Sequence, residues 1–437
     1  MFVWALGIVV IIRVVSHGFF THLMQSSPSR TGRRFEYYRR FNLAGNGTTF
    51  KPLVLDLFDF MDQLQQDRPF MQHAIATAWQ GEGRVEPNPM VGCLLVKGGA
   101  IIGIGYHESF GGPHAEVNAI TNANESNSES IEGSTAYVTL EPCSHVGKTG
   151  PCADALIEAK VARVVIGCVD PNPDVSGRGI AKLTEAGIQV DVGVEADAAG
   201  NLLAPFHKRV TSGLPWIIAK WAMTIDGKIA TMHGDSQWIT NPHSRDIVQS
   251  VRGRVDGIMV GFGTADADDP LLTARGEKKR TPARIVVDSQ ARLRLDSKLA
   301  TSTDQAPVIL VTSPFHDQQH AAKLAALGVE VWVGESQDPD QRLHEFLREF
   351  ASRGNTNLMV EGGGTLMGSL TKMNLVDEAH VFVGPKMLGG KNSITPVEGE
   401  DPTLMAASKL FSLRSVRRID DDVYMQYRRI SAGDQQG

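Results

Sequence analysis

Beyond residue 66 the apolar residues fall into short blocks whose period switches repeatedly between helix and strand. Residues 70–80 carry apolar side chains at helical spacing, whereas 91–96 and 101–105 read as strands. A helix start follows at 114–121, then a strand at 136–140, a helix at 152–160, a strand at 162–168, a helix at 179–186 and a strand at 189–194. The charge-mixed stretch 198–213 predicts a helical or irregular connection into a second unit. That unit opens on a strand at 216–221, and further strands are predicted at 257–261, 284–288, 308–312, 329–333 and 358–360. Helices are predicted at 243–252 and near 317–326 and 340–352, with closing strands at 378–383 and 423–428. Strands alternating with helices argue for layered α/β domains. The polar run 122–130 reads as a solvated loop insertion, and no solenoid-type repeat is visible.

A chain of 437 residues is too long for one ordinary core. The pattern divides it into a leader over 1–66, a first domain over 67–212 and a second over 213–432. The leader is the odd part. Its apolar start is interrupted by Arg13 and is too short to span a bilayer, and a Ser/Arg-rich, acid-poor stretch follows from Ser26 to Arg40. It reads as a targeting or membrane-associated segment, or equally as sequence outside the native protein, since Met61 stands just ahead of the domain pattern. Low order is expected over 1–66, and no stable membrane span.

At 42% hydrophobic and 21% charged residues, the composition is that of a soluble globular protein, and a cytoplasmic one is expected. The net charge is −6, with residues 1–50 contributing six Arg against the single acid Glu36. The acidic balance of the remainder gives no electrostatic reason to expect nucleic acid as a partner. Four cysteines in this length do not make a disulfide framework, so a reducing compartment fits. Cys93 and Cys168 lie in strand-like apolar runs, where a free thiol acts as a small hydrophobe.

Cys143 and Cys152 differ, because each follows a proline and both lie downstream of His114-Ala115-Glu116. One imidazole and two thiolates make a three-ligand zinc set with a fourth position open for water. Glu116 is then placed to move protons. That combination is the zinc-deaminase pattern. His-x-Glu alone reads better as a helix-start histidine beside a surface acid; the two Pro-Cys steps decide against that. Deaminases acting on nucleic acids and nucleosides usually show Pro-Cys-x-x-Cys. Here eight residues separate the cysteines, bringing Ser144, His145, Lys148 and Thr149 to the mouth of the site. Lys148 is either a phosphate contact or a solvated loop lysine.

In the second unit, Val360-Glu361-Gly362-Gly363-Gly364-Thr365-Leu366 runs a strand into three glycines and a helix-compatible stretch. Backbone N–H groups at such a turn can meet a pyrophosphate. It is not the Gly-x-Gly-x-x-Gly fingerprint, and a tight glycine turn accounts for it equally well. Arg252 and Arg275 are candidate phosphate partners, since a planar guanidinium suits bidentate contact, but most lone arginines are surface residues and neither stands out alone.

These residues resemble a known family, the bifunctional deaminase–reductases of riboflavin biosynthesis. The resemblance rests on Pro87-Asn88-Pro89-Met90-Val91-Gly92, Pro113-His114-Ala115-Glu116-Val117, and the blocks from Thr139 to His145 and from Gly147 to Cys152. Asp170-Pro171-Asn172-Pro173 and Gly177-Arg178-Gly179 add to it, and so do Lys220 to Lys228, Ser236 to Thr240, Ala267 to Arg275 and Val287-Asp288-Ser289. The long gap between the cysteines is itself a mark of the family, although Gly150-Pro151 stands where the family usually has Pro-Pro. The resemblance spans roughly residues 68–430. It implies a cytidine-deaminase-like three-layer α/β/α domain followed by a dihydrofolate-reductase-like α/β domain.

It further implies that His114, Cys143 and Cys152 bind Zn²⁺, with Glu116 as the catalytic proton carrier and Asn88 and Lys148 as substrate contacts. Lys220, Ser236, Arg252, Asp268, Leu271, Arg275 and Glu361 become substrate contacts of the reductase. Ala222, Trp238, Thr264, Asp268, Ser289, Gly363, Gly364, Thr365 and Leu366 become contacts to NADPH. The implied substrate is a small phosphoribosyl pyrimidine, deaminated and then reduced at its ribosyl group; a homo-oligomer is left open. Two other readings are carried. One is a nucleic-acid base editor with an unrelated appendage, which the charge and the widened cysteine gap oppose. The other is a structural zinc clip on an interaction module, for which His145 is the nearby fourth ligand.

Overall fold

A computed structural model describes residues 8–15, 18–29, 32–39, 57–126, 130–144, 150–172, 175–275, 280–399 and 403–430, with side chains from residue 62 onward. Strands β1 (Ile8–Val15), β2 (Gly18–Ser29) and β3 (Gly32–Arg39) pair antiparallel within the segment expected to be poorly ordered. The first helix, α1 (Leu57–Ala78), begins ahead of the boundary drawn at 67. Its opening turns are acidic and glutamine-rich and it contains Pro69, so its apolar spacing is clear only from Phe70.

The first domain is built from β4 (Gly92–Lys97), β5 (Ala100–Tyr106), α2 (Ala115–Glu125), β6 (Thr135–Leu140), α3 (Cys152–Glu158), β7 (Arg163–Cys168), α4 (Arg178–Glu185), β8 (Gln189–Val192) and α5 (Ala196–Ser212). Its sheet runs β5-β4-β6-β7-β8 and is mixed: β4 is antiparallel to both neighbours, whereas β6, β7 and β8 are parallel. The period-2 alternation of each strand sorts its side chains to two cores. Cys93, Leu95, Val138 and Ile166 pack with Ala119 of α2, Leu156 of α3 and Leu183 of α4. Leu94, Val96, Tyr137 and Val165 pack with Met71 of α1 and Leu202 of α5. The domain is therefore three-layered α/β/α, as expected, and Cys93 is core.

One buried ion pair ties α1 to this sheet. Asp67 is 2% exposed and accepts two hydrogen bonds from the Arg163 guanidinium (2.8 and 2.7 Å) and one from the Tyr137 hydroxyl at 2.8 Å. Burial works to raise its pKa, but the Arg163 and Tyr137 hydrogen bonds and the Arg163 charge hold it below the usual carboxylate range. A depressed folded-state pKa contributes stability above the unfolded pKa and loses it as pH falls through the folded one. Asp67→Ala should lower the unfolding free energy by about 3–5 kcal/mol at neutral pH. Denaturant titrations at stepped pH should show that gap closing in acid.

The second domain contains β9 (Trp216–Met223), α6 (Pro242–Arg252), β10 (Gly257–Gly261), α7 (Phe262–Asp268), β11 (Ala283–Val287), β12 (Val308–Thr312) and α8 (Gln318–Ala326). It continues through β13 (Glu330–Val333), α9 (Pro339–Ser352), β14 (Asn357–Glu361), α10 (Gly364–Lys372), β15 (Val376–Val383), β16 (Phe411–Ile419) and β17 (Asp422–Arg429). The nine-stranded sheet runs β13-β12-β11-β10-β14-β9-β15-β17-β16, parallel up to β15 and closed by the antiparallel pair β17 and β16. Ile218, Ile258, Val260, Val286 and Leu310 face α6 and α8; Ile217, Ala219, Met259, Ile285 and Val360 face α9 and α10. Strands buried on both faces explain the near-continuous apolar runs. Every predicted strand is present, and the connection at 198–213 is the helix α5. Strand β16 escaped prediction because a register shift between Leu413 and Ser415 breaks its alternation. Helix α7 escaped too, since Phe-Gly-Thr-Ala-Asp-Ala-Asp has no apolar stripe. Among the described residues, no helix is long and apolar enough to cross a membrane.

Candidate active sites

The first site is assembled at the starts of two helices and the end of a strand. His114 is the N-cap residue of α2 and Glu116 lies in that helix's first turn. α2 can lie directly on β5 because Gly105 has no side chain: a Cβ there would stand 2.2 Å from the Ala119 nitrogen and 2.3 Å from the Ala115 oxygen. Cys143 lies just beyond β6, and Cys152 is the first residue of α3. The Cys152 N–H donates to the Cys143 sulfur at 3.3 Å, the helix-start placement that favours a thiolate.

His114 Nδ1 is 3.2 Å from the Cys152 sulfur and 3.5 Å from the Cys143 sulfur, and all three donor atoms lie within 4.8 Å of one another. Tetrahedral zinc with Zn–N of about 2.0–2.1 Å and Zn–S of about 2.3 Å spaces its donors by roughly 3.5–3.8 Å. Donor chemistry and spacing therefore fit zinc. Among the described residues no fourth histidine, cysteine or carboxylate joins the cluster. Lys148 and the alternative ligand His145 lie outside the described residues.

Glu116 is 3% exposed beside this cluster. Burial, followed by the Cys143 charge, pushes its carboxyl up to about 6, near the working range of a proton carrier at neutral pH. Asn88 sits at the site through a residue that the motifs did not single out. His107 is buried; its Nδ1 faces the Pro113 carbonyl at 2.9 Å and its Nε2 faces the Asn88 side-chain nitrogen at 3.1 Å. Donation from Nδ1 leaves Nε2 to accept from the Asn88 amide, which fixes which way Asn88 points. Burial lowers the pKa of His107, consistent with a neutral ring. Its ring also meets that of His114 edge-on at 5.4 Å between centroids.

Glu141 is the second unsingled residue, present in the motif but without a role. Its buried carboxylate accepts four backbone N–H groups, from Asp170 (3.2 Å), Gly177 (3.0 Å), Gly179 (2.9 Å) and Ile180 (3.2 Å). It thereby ties the segment ahead of Cys143 to the loop beyond β7.

The second site is a cavity of about 1050 Å³ in the C-terminal domain, lined by Lys220, Ala222, Ser236, Trp238, Arg252, Thr264, Asp268, Arg275, Glu361, Gly363, Gly364 and Thr365 among others. Leu271, Ser289 and Leu366 are not part of that lining. The Leu271 carbonyl accepts from Arg284, the Ser289 hydroxyl meets Arg342, and Leu366 packs in the core beneath α10. β-sheet register places Glu361 directly beside Lys220. Glu361 accepts from Arg252 Nε at 2.5 Å and Nη2 at 2.9 Å, and Lys220 Nζ stands 3.5 Å away. Burial would raise its pKa, but the Arg252 and Lys220 charges reverse this and hold it at about 2. Glu361, expected as a substrate contact, lines the cavity with its carboxylate paired to Arg252 and close to Lys220.

Ser236 Oγ lies 3.4 Å from Asp268, whose pKa burial raises. Trp238 is 58% exposed, and the Arg245 guanidinium lies 4.4 Å from its ring centroid. At the glycine turn, Gly362 and Gly363 have φ of 71° and 80°, and a Cβ on Gly362 would crowd Thr264 at 3.3 Å. Glu398, which no motif flagged, covers the turn and accepts from the Thr365 hydroxyl at 3.1 Å.

Comparison with known proteins follows the same division. Residues 64–168 match the cytidine and deoxycytidylate deaminase zinc-binding region, and residues 215–425 match the RibD C-terminal domain. The riboflavin biosynthesis protein RibD of Actinobacillus pleuropneumoniae is 39% identical over 376 residues, covering 86% of this chain and 98% of that protein. The Escherichia coli K12 protein of the same name is 36% identical over 390 residues, 82% of this chain and 98% of its own. Among solved structures, Acinetobacter baumannii RibD superposes with a TM-score of 0.73 at 34% identity, covering 84% of this chain and all of that one. The Thermotoga maritima structure described as a diaminohydroxyphosphoribosylaminopyrimidine deaminase/5-amino-6-(5-phosphoribosylamino)uracil reductase gives 0.72 at 33%, with the same coverage. The chain is a zinc-domain deaminase fused to a reductase, an enzyme of small-molecule metabolism. It belongs to the RibD family, the bifunctional deaminase/reductases of riboflavin biosynthesis.

Proposed function

We propose that the N-terminal domain hydrolytically deaminates 2,5-diamino-6-(5-phosphoribosylamino)pyrimidin-4(3H)-one, and that the C-terminal domain then reduces the ribosyl group with NADPH to give 5-amino-6-(5-phosphoribitylamino)uracil. The observation that carries the first step is the three-donor cluster of His114, Cys143 and Cys152 with buried Glu116 beside it. His114, Cys143 and Cys152 would hold Zn²⁺, which would supply a water activated near neutral pH. Glu116 takes up the proton released and delivers it to the departing amino nitrogen, a transfer suited to a carboxyl raised to about 6. Asn88, oriented by His107, reads the pyrimidine edge, and Lys148 meets the phosphate.

For the second step NADPH supplies the hydride. Ala222, Trp238, Thr264, Gly363, Gly364 and Thr365 hold the dinucleotide, and Lys220, Ser236, Arg252, Asp268 and Arg275 hold the phosphoribosyl substrate. A cavity of about 1050 Å³ lies at the top of the volume range usual for small-ligand sites, which suits two ligands held together. Reduction then rests mainly on positioning the sugar carbon against the nicotinamide. The free thiols fit a reducing, cytoplasmic setting.

Metal removal separates the two half-reactions. Purified protein should contain one zinc per chain, and chelation should abolish ammonia release. NADPH oxidation with the already deaminated pyrimidine should persist after chelation. Ammonia release from metal-free protein, or no NADPH oxidation with that pyrimidine, would refute the assignment.

A further inference from the structure

The loop that carries Asn88 is held largely from the other domain. Glu86, 5% exposed on this loop, accepts from the Gly83 N–H at 3.2 Å, the Asn357 side-chain amide at 3.4 Å and the Arg280 guanidinium at 2.8 Å. The same guanidinium reaches Asp256 at 3.1 Å. Asp256 is a buried acid of the C-terminal domain that also accepts the Thr356 and Asn357 backbone N–H groups at 2.8 Å each. One cation therefore serves a buried carboxylate from each domain. Two further arginines add to the hold: Arg209 donates to the Pro87 carbonyl at 3.0 Å, and Arg254 pairs with Glu82. Asn88 follows directly, its own N–H donating to the Val85 carbonyl at 2.9 Å.

An amide can read a heterocycle's edge only from a fixed angle, and a displacement of about 1 Å can cost a reaction about a hundredfold. Within the first domain the side chain of Asn88 meets His107 and the Pro87 carbonyl meets Arg209 of α5, whereas Glu86 just before them is gripped from the second domain by Arg280. We propose that Arg280 is a positioning residue for deamination: from the reductase domain it holds Glu86, and so sets the approach of Asn88 to the pyrimidine. This rests on the reading of Asn88 as a substrate contact. It makes the deaminase's substrate affinity a property of the two-domain chain.

The test uses the full-length holoenzyme with Arg280→Gln, Arg280→Lys, Glu86→Gln and Asn88→Ala. Arg280→Gln and Glu86→Gln should each raise the KM for deamination about ten- to hundred-fold while kcat and zinc content stay near wild type. Arg280→Lys should fall between, because one ammonium keeps the charge without the fork that reaches both acids. Amide hydrogen exchange over residues 82–90 should quicken in the two glutamine variants. A purely structural role would instead lower the active fraction and thermal midpoint, and leave KM alone. Unchanged KM and exchange in both glutamine variants, with a raised KM in Asn88→Ala, would overturn the positioning role alone. Unchanged KM in Asn88→Ala would overturn the reading of Asn88 beneath it.

Discussion

Glu116→Gln should keep one zinc per chain and lose ammonia release by about a hundred- to ten-thousand-fold, the usual worth of a positioned proton carrier. The substitution preserves shape and removes the titrating group, so the helix start that carries His114 has no reason to move. The wild-type carboxyl is buried and raised to about 6, so it can hold or yield a proton near neutrality, which an amide cannot. Zinc analysis beside a single-turnover ammonia assay checks both halves of the expectation. Normal deamination with full zinc would sink the role assigned to Glu116.

Arg252→Ala is expected to act on the other half-reaction and on stability together. Its guanidinium meets Glu361 through two nitrogens, at 2.5 and 2.9 Å, in a site where the carboxylate is 7% exposed. Removing one partner of a buried pair costs about 3–5 kcal/mol, because the remaining charge is left uncompensated. Lys220, 3.5 Å from Glu361, offsets part of that. Losing a charge-assisted contact to the substrate phosphate should raise its KM about ten- to hundred-fold, while the KM for NADPH changes far less. Steady-state kinetics with each substrate varied separately distinguish this from general unfolding, which lowers active enzyme without altering either KM. An unchanged pyrimidine KM would refute the phosphate contact.

The three clustered donors of the first site were legible because each lies at an element boundary inside a contiguous motif: a helix start, a strand end, a second helix start. Their chemistry is local. Most strands were equally legible, since a strand buried on both faces leaves a short apolar run bounded by polar turns. What stayed hidden depends on partners far away in sequence. Asp67 meets Arg163 and Glu86 meets Arg280 across separations that no pattern reports. His107 had no motif around it, although it stands between Asn88 and Pro113 in space. Glu361 was read as a substrate contact through the family resemblance alone; it does line the cavity, and its pairing with Arg252 is another long-range partnership that no local pattern reports. The places of Leu271, Ser289 and Leu366 outside the cavity lining also depend on tertiary packing.

The four backbone N–H groups gathered by Glu141 also bear on how the first site's donors keep their places. Cys143 is held by β6, by this anchor to residues 170–180 and by the Cys152 N–H, and Cys152 by the start of α3, so both sulfurs are located by elements that flank the gap. The geometry of the three donors is therefore a property of strand end, helix start and backbone anchor, all of which lie outside the segment between the cysteines.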